Sequence, residues 1–270
     1  MRIDIITLFP ELFAPLLTQG INRRAFESGL VDVRLWQLRD FATGNYRRVD
    51  DRPFGGGPGM VMQAQPLSDA LAAIRADRAA QAALGGSHAI EAAEVVEVPE
   101  TPEVPVVLFS PQGQTLNHGV VTHWATPEQD AIWVCGRYEG VDQRFIERHV
   151  THQLSLGDFV LSGGELAAMP LLDAIARLQP GVLSDEQSHI QDSFNPSIDG
   201  LLDCPHYTRP EEWQGQRVPD VLLGGNHMAI AKYRREQSLK ATATLRPDVL
   251  AKARDSGALD AADKRFLNGL

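Results

Sequence analysis

Short apolar runs alternate along this chain with polar, turn-rich stretches, and the period of the alternation separates strands from helices. Ile3 to Phe9 is mostly apolar and predicts a buried strand. Pro10 to Gln19 predicts a short helix, and Val31 to Leu35, alternating apolar and polar, a half-exposed strand. Leu38 to Gln63 reads as loop, after which Leu67, Leu71 and Ile74 return at helical spacing. Val104 to Phe109 and Ala131 to Cys135 predict two more strands, with Leu116, Val120, Val121 and Trp124 marking a helix between them. Val141 to Val150 predicts a helix with Phe145, Ile146 and His149 on one side. From Glu165 to Leu178, the residues Leu166, Met169, Leu172, Ile175 and Leu178 are expected to face inward. Pro170 has no N–H to give a helix interior, so it belongs in the first turn and the helix should begin near Ala167.

Repeated strand–helix alternation predicts an α/β fold with a mostly parallel sheet, ending near Val182-Leu183. Residues 77–103, rich in Ala, Glu, Gly and Pro, read as a partly disordered surface insertion. Residues 184–200 are polar and turn-rich, hence a linker. Beyond 201 strand signals fade. Asn226 is placed to cap a helix running to about Leu245, and two short helices follow at 248–255 and 260–268. The chain thus divides into a domain at 1–183, a linker at 184–200 and a small helical domain at 201–270.

A length of 270 residues suits this organisation, and a 43% apolar composition supplies a core. No apolar run approaches the roughly 18 residues that span a bilayer, and Asp4 interrupts the N-terminal run, which is no signal peptide. Cys135 and Cys204 lie far apart without metal-ligand spacing, as expected of free thiols in a cytoplasmic protein. The net charge of −10 argues mildly against a nucleic-acid partner. Its distribution softens that, because residues 201–270 carry 11 Lys+Arg against 9 Asp+Glu. A slightly basic tail can still hold a polyanion locally.

Three glycine-bracketed segments carry the candidate chemistry: Ser110-Pro111-Gln112-Gly113-Gln114, Cys135 to Asp142, and Ser155 to Glu165. Glycine lets backbone amides approach a ligand with no side chain in the way. Gly136-Arg137-Tyr138-Glu139-Gly140 places a cation, an aromatic ring and a carboxylate on one loop after a strand, where α/β sheets bind ligands. A plain turn is the alternative. Gly55-Gly56-Gly57-Pro58-Gly59 lacks the Gly-Lys-Ser/Thr ending of a P-loop. It is either a flexible surface loop or, with Asp50, Asp51 and Arg52 beside it, a substrate or subunit contact. Asp203, Cys204 and His206 are too few and too crowded for zinc, so no metal site is assigned. Asn226, Arg234 and Arg235 fit a helix whose outer face meets phosphates, or else a solvated face.

At this point the chain strongly resembles the bacterial tRNA (guanine-N1)-methyltransferases of the TrmD family. The matching segments are Met1 to Phe13, Asp51 to Met62, Ser110 to Gly113, Cys135 to Gln143, Ser155 to Met169, Pro180 to Leu183, Asp192-Ser193-Phe194, Gly200 to Pro210 and Val218 to His227. They stand in order and span nearly the whole chain. The resemblance implies a SPOUT-type parallel sheet with a deep trefoil knot, an obligate homodimer, S-adenosylmethionine as methyl donor, and N1 of guanosine 37 in tRNA as acceptor. By position it places the cofactor against Ser110, Pro111, Gly136, Tyr138, Glu139 and Gly140. It likewise implies Ser155, Leu156, Gly157, Phe159, Leu161, Gly163 and Gly164. Leu156 and Phe159 stand where the family more often has Ile and Tyr, and the 77–103 insertion is unusual.

Guanine N1 carries a proton and is a poor nucleophile at neutral pH, so a general base must act there. By resemblance that base is Asp192, and Arg177 stabilises negative charge growing on O6. Glu139 is the candidate to hold a magnesium ion or substrate. Asp51, Ser193, Asp203, His206, Asn226, Arg234 and Arg235 are the residues expected to meet tRNA, with Lys232 beside them. Two other classes compete: a SPOUT relative acting on a ribose hydroxyl, and an RNA-binding module without catalysis. The intact cofactor loops weigh against the second, and Asp192 with Arg177 against the first.

Overall fold

The computed structural model describes residues 1–85, 104–185 and 188–270. The chain forms two compact units, Met1–Leu183 and Ser184–Leu270.

In the first unit, strand β1 (Arg2–Thr7) leads through a 3₁₀ turn into helices α1 (Ala14–Thr18) and α2 (Arg23–Glu27), then strand β2 (Asp32–Gln37). A short antiparallel pair, β3 (Asp50–Asp51) and β4 (Val61–Met62), precedes helix α3 (Ala64–Gly85). There follow β5 (Val106–Thr115), α4 (His118–Trp124), β6 (Ala131–Cys135), α5 (Gln143–His149), β7 (His152–Ser155) and α6 (Glu165–Arg177). Among the described residues five strands form one parallel sheet in the order β2-β1-β6-β5-β7. Strand pleating sends Ile3, Ile5, Val107, Phe109, Ala131, Trp133 and Cys135 to one face, packed with Leu171, Leu172 and Ile175 of α6. Ile6, Val106, Leu108, Ile132 and Val134 go to the other, with Leu67, Leu71 and Ile74 of α3 and Phe145 of α5. Because helices cover both faces, the inner strands are apolar at nearly every position, whereas the edge strand β2 is half-buried throughout. No helix among the described residues is long and apolar enough to cross a membrane.

Several sequence-based expectations need correction. The stretch 77–85 continues α3 instead of opening a surface insertion; 86–103 lies outside the described residues. Polar residues of α3 are held by a charge network at the end of the sheet. Arg78 donates to the fully buried Asp4 at 2.7 Å and to Asp130 at 2.7 Å, and Asp77 accepts from Arg2 and Arg34. Ser110 to Gln114 is not a turn beyond the strand but an irregular continuation of β5, with a register shift between Phe109 and Gln114. A Cβ on Gly113 would lie 2.3 Å from the Leu154 backbone nitrogen, so this glycine serves strand approach. Helix α6 begins at Glu165, two residues earlier than expected, and carries Pro170 inside it. The carbonyl deprived of a partner belongs to Leu166, which is 40% exposed and faces outward; Ala167, Ala168 and Leu171 occupy the inner face instead.

The second unit packs α8 (His227–Leu245), α9 (Pro247–Asp255) and α10 (Ala261–Asn268) around Leu201, Leu239, Leu250 and Leu259, after a short hairpin, β8 (Glu212–Trp213) and β9 (Gln216–Arg217), and a one-turn helix α7 (Asp220–Leu223). The hairpin escaped the sequence because each strand has two residues; its turn needs positive φ at Gln214 and Gly215, 51° and 78°. Asn226 caps α8 by accepting from Ala229 N, and Asp260 caps α10 in a reciprocal capping box with Asp263. Residues 188–200 fold with this unit: Phe194 N donates to Leu201 O, and Asp203 N to the Ser193 hydroxyl.

Candidate active site

Strands β6 and β7 lie on opposite sides of β5, so the loops leaving their carboxyl ends diverge and open a crevice. A cavity of about 520 Å³ occupies it. Ser110, Pro111, Gly136, Tyr138, Glu139 and Gly140 line it, together with Ser155, Leu156, Phe159, Leu161, Gly163 and Gly164. Gly157 is absent from the lining. It shapes the turn instead, its carbonyl accepting from the Ser155 hydroxyl and from Phe159 N. The list given by resemblance left out eleven further lining residues, among them Gln112, Arg137, Gln143, Ile146 and Val160. Arg137 and Gln143 sit inside a quoted motif, whereas Ile146 comes from α5, where the sequence marked it only as part of a helix face.

The loop after β6 is held open by its own backbone. Tyr138 adopts a left-handed conformation, φ 59°, and Gly140 has φ 132°. Glu139 N donates to Met60 O and Met62 N to Gly140 O, both at 2.9 Å, which docks this loop on the Gly59–Met62 segment. A Cβ on Gly59 would come 2.4 Å from Glu139 Oε1, so the glycine-rich loop is required by close approach at that position. Asp51 stands on β3, exposed, and accepts from Arg52 N.

The segment Ser162–Gly164 crosses tightly behind the end of β6. Gly164 N donates to Gly136 O at 2.8 Å, and a Cβ on Gly164 would lie 2.9 Å from Cys135 Cα. Behind it Glu165, fully buried, accepts from the Thr7 hydroxyl and from Arg137 Nε. Burial first, then the charge of Glu165, pushes the Cys135 thiol well above its usual range, which suits an inert packing residue. Arg177 closes the last turn of α6, away from this lining, where a cation is favoured by the helix dipole.

In the second unit, the turn at Asp192-Ser193-Phe194 is tied to Leu201–Asp203, so the half-buried Asp192 lies on the segment that carries Asp203 and His206. Asp203 accepts from Cys204 N at 2.6 Å and pairs with His206 Nε2 at 2.7 Å. Ligand-type atoms of Asp203, Cys204 and His206 lie within 4.8 Å of one another, with both Asp203 oxygens already engaged. Arg234 borders a shallow groove with His206, Tyr207 and Arg209. Arg235 does not face outward. Its guanidinium donates to Asp199 at 2.7 Å and to Asp263 at 2.6 Å, which corrects its placement among phosphate contacts. Consecutive helical residues point about 100° apart, which lets Arg234 stay exposed while Arg235 turns to Asp199 and Asp263. Lys232 is exposed and reaches Glu236 at 3.8 Å, and the Asn226 side chain is spent on its cap.

A parallel sheet with a crevice at its strand ends, walled by glycine loops that admit a ligand between backbone segments, defines an α/β enzyme of the nucleotide- or cofactor-binding class. Comparison with known proteins makes this particular: residues 1–252 match the family tRNA (Guanine-1)-methyltransferase TrmD, and the chain belongs to that family. It is 61% identical to the tRNA (guanine-N(1)-)-methyltransferase of Albidiferax ferrireducens, over 99% of this chain and 98% of that protein. The proteins of the same name from Polaromonas sp. and Paracidovorax citrulli are each 60% identical over 100% of this chain, covering 97% and 100% of their own lengths.

Proposed function

We propose that this protein transfers a methyl group from S-adenosylmethionine to N1 of guanosine 37 in tRNA, in the cytoplasm, with the first unit holding the cofactor and the second the tRNA. The carrying observation is the cavity at the ends of β5, β6 and β7, where twelve of the thirteen residues assigned to the cofactor by resemblance converge. Its volume lies in the range of roughly 300–1,000 Å³ typical of small-molecule sites. Apolar Leu154, Leu156 and Leu161 suit a purine face, while Ser110, Gln112 and Glu139 suit the polar ribose and amino-acid parts. When bound, S-adenosylmethionine supplies an electrophilic methyl on a sulfonium centre.

The protein's own part is to hold the base and move a proton. Asp192 is the proposed general base that removes the N1 proton as N1 attacks. Arg177 is proposed to stabilise charge on O6; a planar, permanently charged guanidinium suits an enolate-like oxygen. Asp203 and His206, fixed to each other, would shape the base pocket, with Ser193 holding the turn of Asp192 against them. Glu139 at the cavity wall is the proposed site for magnesium or a substrate contact. The tight crossing of Gly163-Gly164 behind Cys135-Gly136 supports a trefoil knot, and a homodimer would let the second unit of one subunit serve the cavity of the other. Asp192, tied into the second unit through Phe194 and Ser193, would then be carried to it with that unit.

The test is transfer of labelled methyl to a tRNA transcript with G at positions 36 and 37, beside one with A at 37. Label in the first alone, at guanine N1, is expected. Equal label in both would refute the assignment, and full activity in Asp192→Asn would remove the proposed base.

A further inference from the structure

A carboxylate removed from water is tolerated only where charge and hydrogen bonds meet it. Glu165 is fully buried at the first position of α6, and both its oxygens are engaged. Oε1 accepts from the Thr7 hydroxyl at 2.7 Å and Oε2 from Arg137 Nε at 2.8 Å. Arg137 turns its Nη1 to the Ser162 carbonyl at 3.0 Å and lays its guanidinium 4.5 Å from the centre of the Phe9 ring. Phe9 N donates to the same Thr7 hydroxyl at 3.0 Å. A Cβ on Gly163 would lie 2.1 Å from Arg137 Nε, so the guanidinium fills the space a side chain there would take. One buried carboxylate therefore joins the end of β1, the loop after β6, the Ser162–Gly164 crossing and the start of α6.

Arg137 lines the cavity; Glu165 does not. We infer that Glu165 and Arg137 are positioning residues for methyl transfer, their ion pair setting the spacing between the two loops that wall the cofactor cavity. Glu165 acts through Arg137, and Thr7 fixes the orientation of the carboxylate. The geometry makes separate demands on each group. Arg137 must reach two acceptors at once with Nε and Nη1, a fork that lysine cannot reproduce. Thr7 must donate, so serine serves there and valine does not. The inference rests on the assignment of the cavity to S-adenosylmethionine.

The experiment measures S-adenosylmethionine binding by calorimetry, thermal unfolding of the cofactor-free full chain, and steady-state kinetics for Glu165→Gln, Arg137→Lys, Thr7→Val and Thr7→Ser. A hydrogen bond to a charged group governs the size of the effect, so Glu165→Gln and Arg137→Lys are expected to weaken cofactor binding about tenfold or more. The KM for cofactor rises in parallel, while the KM for tRNA at saturating cofactor stays near that of the unaltered protein. Thr7→Val shows the same pattern more mildly and Thr7→Ser restores normal binding. Where Glu165→Gln does not fold, the Thr7 pair decides. Cofactor binding unchanged in folded Arg137→Lys and Thr7→Val, or a loss confined to tRNA, would overturn the inference. Unaltered protein that bound no S-adenosylmethionine would instead refute the cofactor site on which it rests.

Discussion

Replacing Gly164 with alanine adds a single methyl at the tightest crossing in the first unit. The backbone does not resist the change: Gly164 caps α6 at φ −65°, ordinary for any residue. The contact does. The new Cβ would meet Gly136 N at 2.8 Å, Cys135 Cα at 2.9 Å and Cys135 C at 3.1 Å, all backbone atoms of a central strand end that no rotamer change can move. Ordinary contact begins near 3.4 Å, so the Ser162–Gly164 segment must withdraw from β6 by several tenths of an ångström. That withdrawal lengthens the Gly164 N to Gly136 O bond, now 2.8 Å. Overpacking costs about 1–3 kcal/mol and the weakened bond about 1 kcal/mol, for a loss of ~2–4 kcal/mol. For a unit of this size each kcal/mol lowers Tm by about 2–4 °C, so a fall of roughly 4–16 °C is expected. Gly136 and Gly164 both line the cavity, so on the proposed assignment of that cavity affinity for S-adenosylmethionine is expected to fall as well. Scanning calorimetry and titration of the purified Gly164→Ala protein check both effects. A Tm and a cofactor affinity indistinguishable from those of the unaltered protein would refute the steric reasoning.

In the second unit, Arg235→Ala strands Asp263, whose side chain is only 6% exposed, and is expected to cost about 3–5 kcal/mol, whereas Arg234→Ala leaves stability unchanged and weakens tRNA binding. Equal Tm values for the two variants would show that Arg235 is not the structural member of the pair. The same ion pair predicts an acid limit. The Arg235 guanidinium holds the Asp263 carboxyl below the usual carboxylate range, against the opposing effect of burial. The stabilisation is complete above the unfolded value of about 3.9 and is lost as pH falls through the lower folded value, so Asp263→Asn should flatten the decline of stability below about pH 4. Acid titration of the full chain by circular dichroism measures that slope, and an unaltered slope would exclude Asp263 as its source.

The order of strands and helices in the first unit was legible because each inner strand is buried on both faces and so reads as an apolar run, as Ile3 to Phe9 and Ala131 to Cys135 do. The long helix after Asn226 was legible because a side-chain cap is a local interaction, written in a few adjacent residues. The glycine motifs of the loops that wall the cavity were equally local, and their convergence followed once strand ends were brought together. What lay beyond the sequence were distances between segments far apart in the chain. Nothing local distinguishes Gly113, which admits a neighbouring strand, from Gly59, which admits the Glu139 side chain. Pro170 could enter α6 because tertiary packing of Ala168, Leu171, Leu172 and Ile175 outweighs one missing hydrogen bond, a sum that propensity rules do not contain. Arg235 was read as a surface charge until the fold supplied Asp199 and Asp263, and no local signal paired Glu165 with Thr7 and Arg137. Periodicity and capping are set by neighbours a few residues away, so the sequence determined the elements and the chemical vocabulary of their loops. Charge pairing and close approach depend on groups up to 158 residues apart, and only the tertiary structure decided which charges are structural and which glycines make room.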